Sequence, residues 1–217
     1  GYIDDLPSFR KLEPKTPERD RVLTDDELKA VWLAADAIGY SYGALVKFLM
    51  VIGCRRGEAA GLTWSEIDGE SWKLAGERSK NGEGHLVPLS PMAMSILNAC
   101  PEFTGSDLVF QNRTKAISGW SKYKKRLDAV IEEQRGKPIK DWRLHDIRRT
   151  VATGLRSKGI DRLTVSKILN HSEWGITRIY DRYAADPEKR HALEVWAAHL
   201  QSIVSDEPAP DNVVRLA

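Results

Sequence analysis

Between Ser71 and Leu89 the helical spacing of apolar residues that prevails through most of this sequence gives way to alternation. The alternating stretch runs from Ser71 to Leu89, with Trp72 and Leu74 on one side of Asn81-Gly82 and Leu86, Val87 and Leu89 on the other. Such alternation around an Asn-Gly pair predicts a β-hairpin whose rather long, charged loop is Arg78 to Gly84. A single hairpin among helices restricts the fold to a mainly α (α+β) domain with one small antiparallel β-sheet.

The helical segments carry their own start and stop signals. Thr24-Asp25-Asp26-Glu27 is a capping box opening a helix with Leu28, Val31, Trp32 and Ala35 on its apolar face. A second helix spans Tyr42 to Ile52, and a short one follows Gly53 towards Leu62. Ser90-Pro91 starts another, Leu108 to Phe110 forms an extended piece, and Ser118 caps a long helix bearing Trp120, Tyr123, Leu127, Val130 and Ile131. A helix from His145 to Lys158 stops at Gly159, and Asp161 caps the next, which ends near Asn170. Residues 175–184 read as helical, and Asp186-Pro187 opens a last helix with Ala192, Val195, Trp196 and Leu200. Residues 1–22, with three prolines, read as a linker or N-terminal arm, 23–204 as the folded domain, and 205–217 as a Pro-rich, acidic tail.

With 217 residues, the chain can bury a core without staples. The longest apolar run, around Leu49 to Gly53, is far short of a membrane span, and no signal-peptide pattern opens the sequence. Cys54 and Cys100 sit in apolar contexts and read as buried free thiols, so the expected location is the cytoplasm. Net charge is only +2, yet Arg113 to Arg149 holds 12 Lys plus Arg against five Asp plus Glu. A local net of +7 suits a phosphate-binding surface and a solvated helical face about equally.

Four separated segments carry candidate chemistry. In Ile52-Gly53-Cys54-Arg55-Arg56-Gly57-Glu58, an arginine follows an apolar helix and a glycine. Its permanently charged fork suits two phosphate oxygens, and Glu58, three residues on, can orient it. Read alone, a capping arginine in a surface salt bridge is the commoner explanation. Lys80, on the hairpin tip, can enter a groove and give a proton to a leaving oxygen, although most turn lysines are simply solvated. In Leu144-His145-Asp146-Ile147-Arg148-Arg149, His145 and Arg148 share a helix face, but Arg149 is also within one turn, so spacing does not choose between the arginines. In Leu169-Asn170-His171-Ser172, Asn170 is a natural left-handed cap that brings His171 out at a helix end. Tyr180 follows nine residues after His171. A tyrosine hydroxyl, with a reference pKa of about 10, needs cationic neighbours and a proton acceptor to act as a nucleophile.

Together and in this order, the four segments resemble the catalytic domain of tyrosine recombinases, particularly integrases of temperate phages and genomic islands, over roughly residues 20–200. The resemblance implies a catalytic set of Arg55, Lys80, His145, Arg148, His171 and Tyr180, supported by Glu58, in a helical catalytic domain. It implies cleavage and rejoining of DNA through a 3′-phosphotyrosyl intermediate, integrating or excising a mobile element. Arg55, Arg148 and His171 would hold the non-bridging oxygens, Lys80 would protonate the leaving 5′ oxygen, and His145, together with Glu58, would accept the tyrosine proton or keep the site ordered. Implied partners are double-stranded DNA attachment sites, a homotetramer on DNA and an excision factor, with no cofactor and no metal. Lys122, Lys124, Lys125 and Arg126 are the expected phosphate contacts. Ile52, Cys54 and Asn170 depart from the family pattern, Asn170 standing where glycine is usual. The family's N-terminal DNA-clamping domain is expected upstream of the linker-like start. Alternatives are type IB topoisomerase-like strand cleavage, a catalytically dead DNA-binding domain, and an ordinary helical DNA-binding module.

Overall fold

The computed structural model describes residues 19–113, 115–171 and 186–205. Helix α1 (Asp25–Ile38) starts at the expected capping box: the Thr24 hydroxyl accepts from the Glu27 N–H, and the Glu27 carboxylate accepts from the Thr24 N–H. Next, α2 (Tyr42–Ile52) is buried over almost its whole length, so its unbroken apolar run makes it the central strut of the core. It ends at Gly53, at φ +70°, where an added Cβ would lie 2.8 Å from Val151. Glycine is therefore needed for both conformation and space, and the reversal leads through Arg55 into the short α3 (Arg56–Ala60).

The predicted hairpin forms from β2 (Ser71–Leu74) and β3 (His85–Pro88), with Trp72 opposite Val87 and Leu74 opposite His85. A two-residue strand, β1 (Ile67–Asp68), extends it to the order β1-β2-β3. Helix α4 (Pro91–Asn98) is capped by Ser90, as expected. A second sheet, β4 (Gln111–Asn112) with β5 (Lys115–Ala116), was not expected, because strands of two residues show no alternation. Of the extended piece expected at Leu108 to Phe110, Leu108 alone makes an isolated bridge, to Thr63, and regular pairing begins at Gln111.

Helix α5 (Trp120–Arg135) corrects another expectation. Its cap is Gly119 at φ +73°, a left-handed turn that glycine adopts readily, and Ser118 stays outside the helix. Then come α6 (Leu144–Ser157), α7 (Arg162–Ile168), capped by Asp161, and α8 (Asp186–Ser205). The helix expected at residues 175–184 lies outside the described residues.

Helix α8 closes the core against α1, α2, α6, α7 and β3, burying Ala192, Leu193, Trp196, Ala197 and Leu200 while Val195 stays half-buried. The Trp196 indole donates to the Met50 carbonyl at 2.8 Å. Gly154 makes room for that ring, since a Cβ there would lie 2.2 Å from it. Phe48, Trp72 and Phe110 join the hairpin to α2. Both cysteines are free and buried. Among the described residues, no helix is long and apolar enough to cross a membrane.

Candidate active site

The loop ends of α2, α6 and α7 meet, and Arg148 ties them together. It is buried on α6 and donates to the Gly53 carbonyl at 3.0 Å and to the Leu169 carbonyl. Burial, and then the charge of Arg55, lower its pKa to about 10, so it stays cationic at neutral pH. Arg149 turns elsewhere, pairing at 2.8 Å with the fully buried Asp146. This separates two arginines that sequence spacing could not. Asp146 also accepts from the Arg143 N–H at 2.8 Å and from Arg19 at 2.9 Å. Burial alone would raise its carboxyl pKa, but hydrogen bonds led by that from Arg19 outweigh burial and lower it.

Arg55 stands at the N-cap of α3. Its guanidinium donates to the buried Glu58 carboxylate at 2.8 Å and to the Asn170 carbonyl at 2.9 Å, while its own N–H donates to Glu58 at 3.2 Å. The acidic residue predicted to orient the arginine does so, and the arginine in turn reaches the end of α7. Two cations from segments far apart in sequence are thus fixed side by side, each with most of its alternative geometries removed.

The hairpin is docked here as well. Arg78 donates to Glu66 at 2.8 Å and to the carbonyls of Glu58 and Gly61, and Glu66 also accepts from the Trp72 indole at 3.1 Å. Ser79 and Asn81, on either side of Lys80, hydrogen-bond to Asn170. Lys80 is exposed between them, near enough for its charge to act on His145. The neighbours of Lys80 thus hold the hairpin tip against the end of α7. The sequence signals only a turn at Asn81 and a cap at Asn170, whereas both residues also use their side-chain amides across 89 residues of chain.

His171 follows Asn170, whose φ of +49° is the left-handed turn that the sequence suggested. His145 and His171 both present exposed side chains. Partial desolvation is the main cause lowering the pKa of each, followed by Arg149, Arg148 and Lys80 around His145, and by Arg148, Arg55 and His145 around His171. The described part of the site is therefore a positive concentration that favours neutral imidazoles and attracts an anion. Among the described residues, no three His, Cys, Asp or Glu side chains gather into a metal-binding group. Tyr180 lies outside the described residues.

Helix α5 reaches the same region. The Arg56 guanidinium lies over the Trp120 ring at 4.5 Å, joining α3 to the first turn of α5. Of the four basic residues expected to face DNA, Lys122, Lys125 and Arg126 are exposed. Lys124 is occupied instead: its ammonium bonds Asp128 at 2.7 Å and sits 3.9 Å from the centre of the Trp142 ring.

The sequence profile of the phage integrase family matches residues 21–186, a span that holds all four candidate segments and Tyr180. The chain belongs to the phage integrase family. Among relatives of this integrase-family chain, prophage integrase IntA of Escherichia coli K12 is 24% identical over 91% of the chain and 49% of its own length. A tyrosine recombinase of Thermosipho africanus is 27% identical over 89% of the chain and 68% of its own length. The chain thus spans about half to two thirds of these relatives. Among solved structures, the lambda integrase catalytic core superposes with a TM-score of 0.56 at 21% identity, covering 71% of this chain and 96% of that one. A lambda integrase tetramer bound to a Holliday junction gives 0.53 at 21% identity, over 74% and 50%. At that identity the likeness speaks to fold: a tyrosine recombinase catalytic core, mainly helical with small antiparallel sheets.

Proposed function

We propose that this chain is the catalytic domain of a tyrosine site-specific recombinase acting on double-stranded DNA. The observation that carries the reading is the convergence of Arg55, Lys80, His145, Arg148 and His171, from four separate segments, on one positive surface whose arginines are anchored by Glu58, Asn170 and the helix-end carbonyls. Attack on a phosphodiester adds charge to its non-bridging oxygens, and preorganised cations are the largest available source of rate for such a step. Arg55, Arg148 and His171 take that role.

The Tyr180 oxygen forms a bond to phosphorus as the bond from phosphorus to the 5′ oxygen breaks. The tyrosine proton passes to His145, and Lys80 supplies a proton to the departing 5′ oxygen. The phosphotyrosyl linkage conserves the bond energy, so reversal by another 5′ hydroxyl rejoins the strand. The proposal extends to a tetramer on attachment-site DNA, to an excision factor and to the cytoplasm. It also extends to a catalytic domain at residues 23–204 flanked by an arm and a tail. The bonds from Arg19 to Asp146 and from Arg21 to Glu27 at 2.6 Å support drawing the domain edge a few residues earlier.

The test is covalent trapping. Incubation with a pool of nicked duplexes carrying a randomised core should yield a DNA adduct, and sequencing the trapped DNA gives the core. Tyr180→Phe should abolish the adduct while leaving folding and DNA binding intact, and Tyr183→Phe should form it. The opposite pattern would overturn the assignment of the nucleophile, and no adduct from the unaltered chain would overturn enzymatic cleavage.

A further inference from the structure

The side chains of Ser79, Asn81 and Asn170 form a closed ring of hydrogen bonds. The Ser79 hydroxyl donates to Asn81 Oδ1 at 2.5 Å, Asn81 Nδ2 donates to Asn170 Oδ1 at 2.9 Å, and Asn170 Nδ2 donates to Ser79 Oγ at 2.9 Å. Asn170 Nδ2 also donates to Asn81 Oδ1, more weakly, at 3.4 Å. The direction is set independently: the Glu83 N–H donates to Asn81 Oδ1 at 3.2 Å, and Asn81 Nδ2 donates also to the Asn170 backbone carbonyl at 3.3 Å, which fixes which end of that amide is oxygen. Ser79 is buried and the other two are half-buried, so water competes weakly for these bonds.

The place of this ring matters more than its strength. It encloses the backbone of Lys80, which lies between two of its members. The third member, Asn170, hands its backbone carbonyl to Arg55 and precedes His171. One residue thus links the hairpin, the first arginine and the second histidine. A side chain with no amide at position 170 would leave the hairpin tip tied to α7 only through the bond from Asn81 to the carbonyl.

We infer that Asn170 is a positioning residue for Lys80, holding the hairpin tip where the lysine can protonate the departing 5′ oxygen. The inference rests on the reading of Lys80 as the general acid. It requires Asn170 to act through Lys80, with no contact to DNA of its own.

Asn170→Gly is the informative variant. At φ +49° glycine keeps the backbone, the carbonyl offered to Arg55 and the N–H bond of His171 to Ser166, and removes only the ring. Cleavage of the trapped core sequence should slow by about tenfold to a hundredfold, the scale on which small misplacements of a reacting group act. A core with sulfur in place of the 5′-bridging oxygen has a leaving group that needs no proton. On it, Asn170→Gly and Lys80→Ala should both recover to near the rate of the unaltered chain. On ordinary DNA the double variant should be no slower than Lys80→Ala alone. Ser79→Ala, which breaks the ring at another member, should repeat the pattern and covers the case in which Asn170→Gly folds poorly. Equal slowing of Asn170→Gly on both substrates, with Lys80→Ala recovered, would overturn this inference alone, as would no slowing at all. Failure of Lys80→Ala to recover on sulfur would overturn the acid assignment and this inference together.

Discussion

Arg148 and Arg149 are adjacent in sequence, and their surroundings decide their different roles. Arg148 bridges carbonyls at the ends of α2 and α7, with partners 95 and 21 residues away. Arg149 closes an ion pair one turn back, to Asp146. Nothing in the His-x-x-Arg spacing could anticipate this, because the acceptors that select Arg148 belong to other helices. Glu58 was more legible, since its partner Arg55 is local, three residues earlier. Lysine at position 148 keeps the charge but cannot span two carbonyls as a planar fork does. Arg148→Lys is therefore expected to cut covalent adduct formation by roughly a hundredfold, the usual scale for losing one such stabilising group. Arg149→Ala should leave adduct formation within a few-fold and cost about 1 kcal/mol of stability in chemical denaturation, because Asp146 keeps Arg19 and the Arg143 N–H. An adduct lost with Arg149→Ala and kept with Arg148→Lys would reverse the assignment.

The hairpin shows what a sequence pattern does and does not carry at the level of an element. Alternation and the Asn-Gly pair placed β2 and β3 within a residue or two, because those signals are local. Its docking was hidden, since Ile168 and Asn170 lie 83 to 91 residues further on. His85, on β3, supplies another anchor, its Nε2 lying 3.1 Å from the Ile168 carbonyl. A carbonyl only accepts, so Nε2 carries the proton. Burial, aided by Lys189, lowers the His85 pKa from 6.5 to about 4. Between those values the unfolded chain binds a proton that the folded chain does not, so stability contributed by neutral His85 is present above pH 6.5 and is lost as pH falls towards 4. The full loss is on the order of 3 kcal/mol for a shift of that size. His85→Gln keeps a donor for Ile168 without titrating. Urea denaturation between pH 7 and 4 should therefore show a shallower fall for His85→Gln than for the unaltered chain, and parallel curves would remove His85 as the titrating group.

At the scale of the whole molecule, net charge of +2 hides a local surplus between Arg113 and Arg149, on which the proposed binding of DNA would draw. Composition located the surplus but could not sort its members, because sorting requires knowing which cations already have partners. Lys122, Lys125 and Arg126 are exposed on α5, whose first turn lies beside Arg56. Lys124, in the same run, is held by Asp128 and the Trp142 ring. Phosphate contacts release condensed counterions, so the logarithm of the DNA binding constant falls linearly with the logarithm of salt, by about 0.9 for each contact. Single alanine variants at Lys122, Lys125 and Arg126 should each weaken DNA binding across sequences and reduce that slope by about one contact. Lys124→Ala should leave the slope unchanged and lower the thermal midpoint instead, since it removes an ion pair within α5 and the cation–π contact that holds α5 to Trp142, before α6. Titrations of labelled duplex over a range of salt separate the two outcomes. A slope flattened as much by Lys124→Ala as by the other three would mean that Lys124 leaves Asp128 for phosphate when DNA arrives, and that the unbound geometry of α5 is not the one that binds.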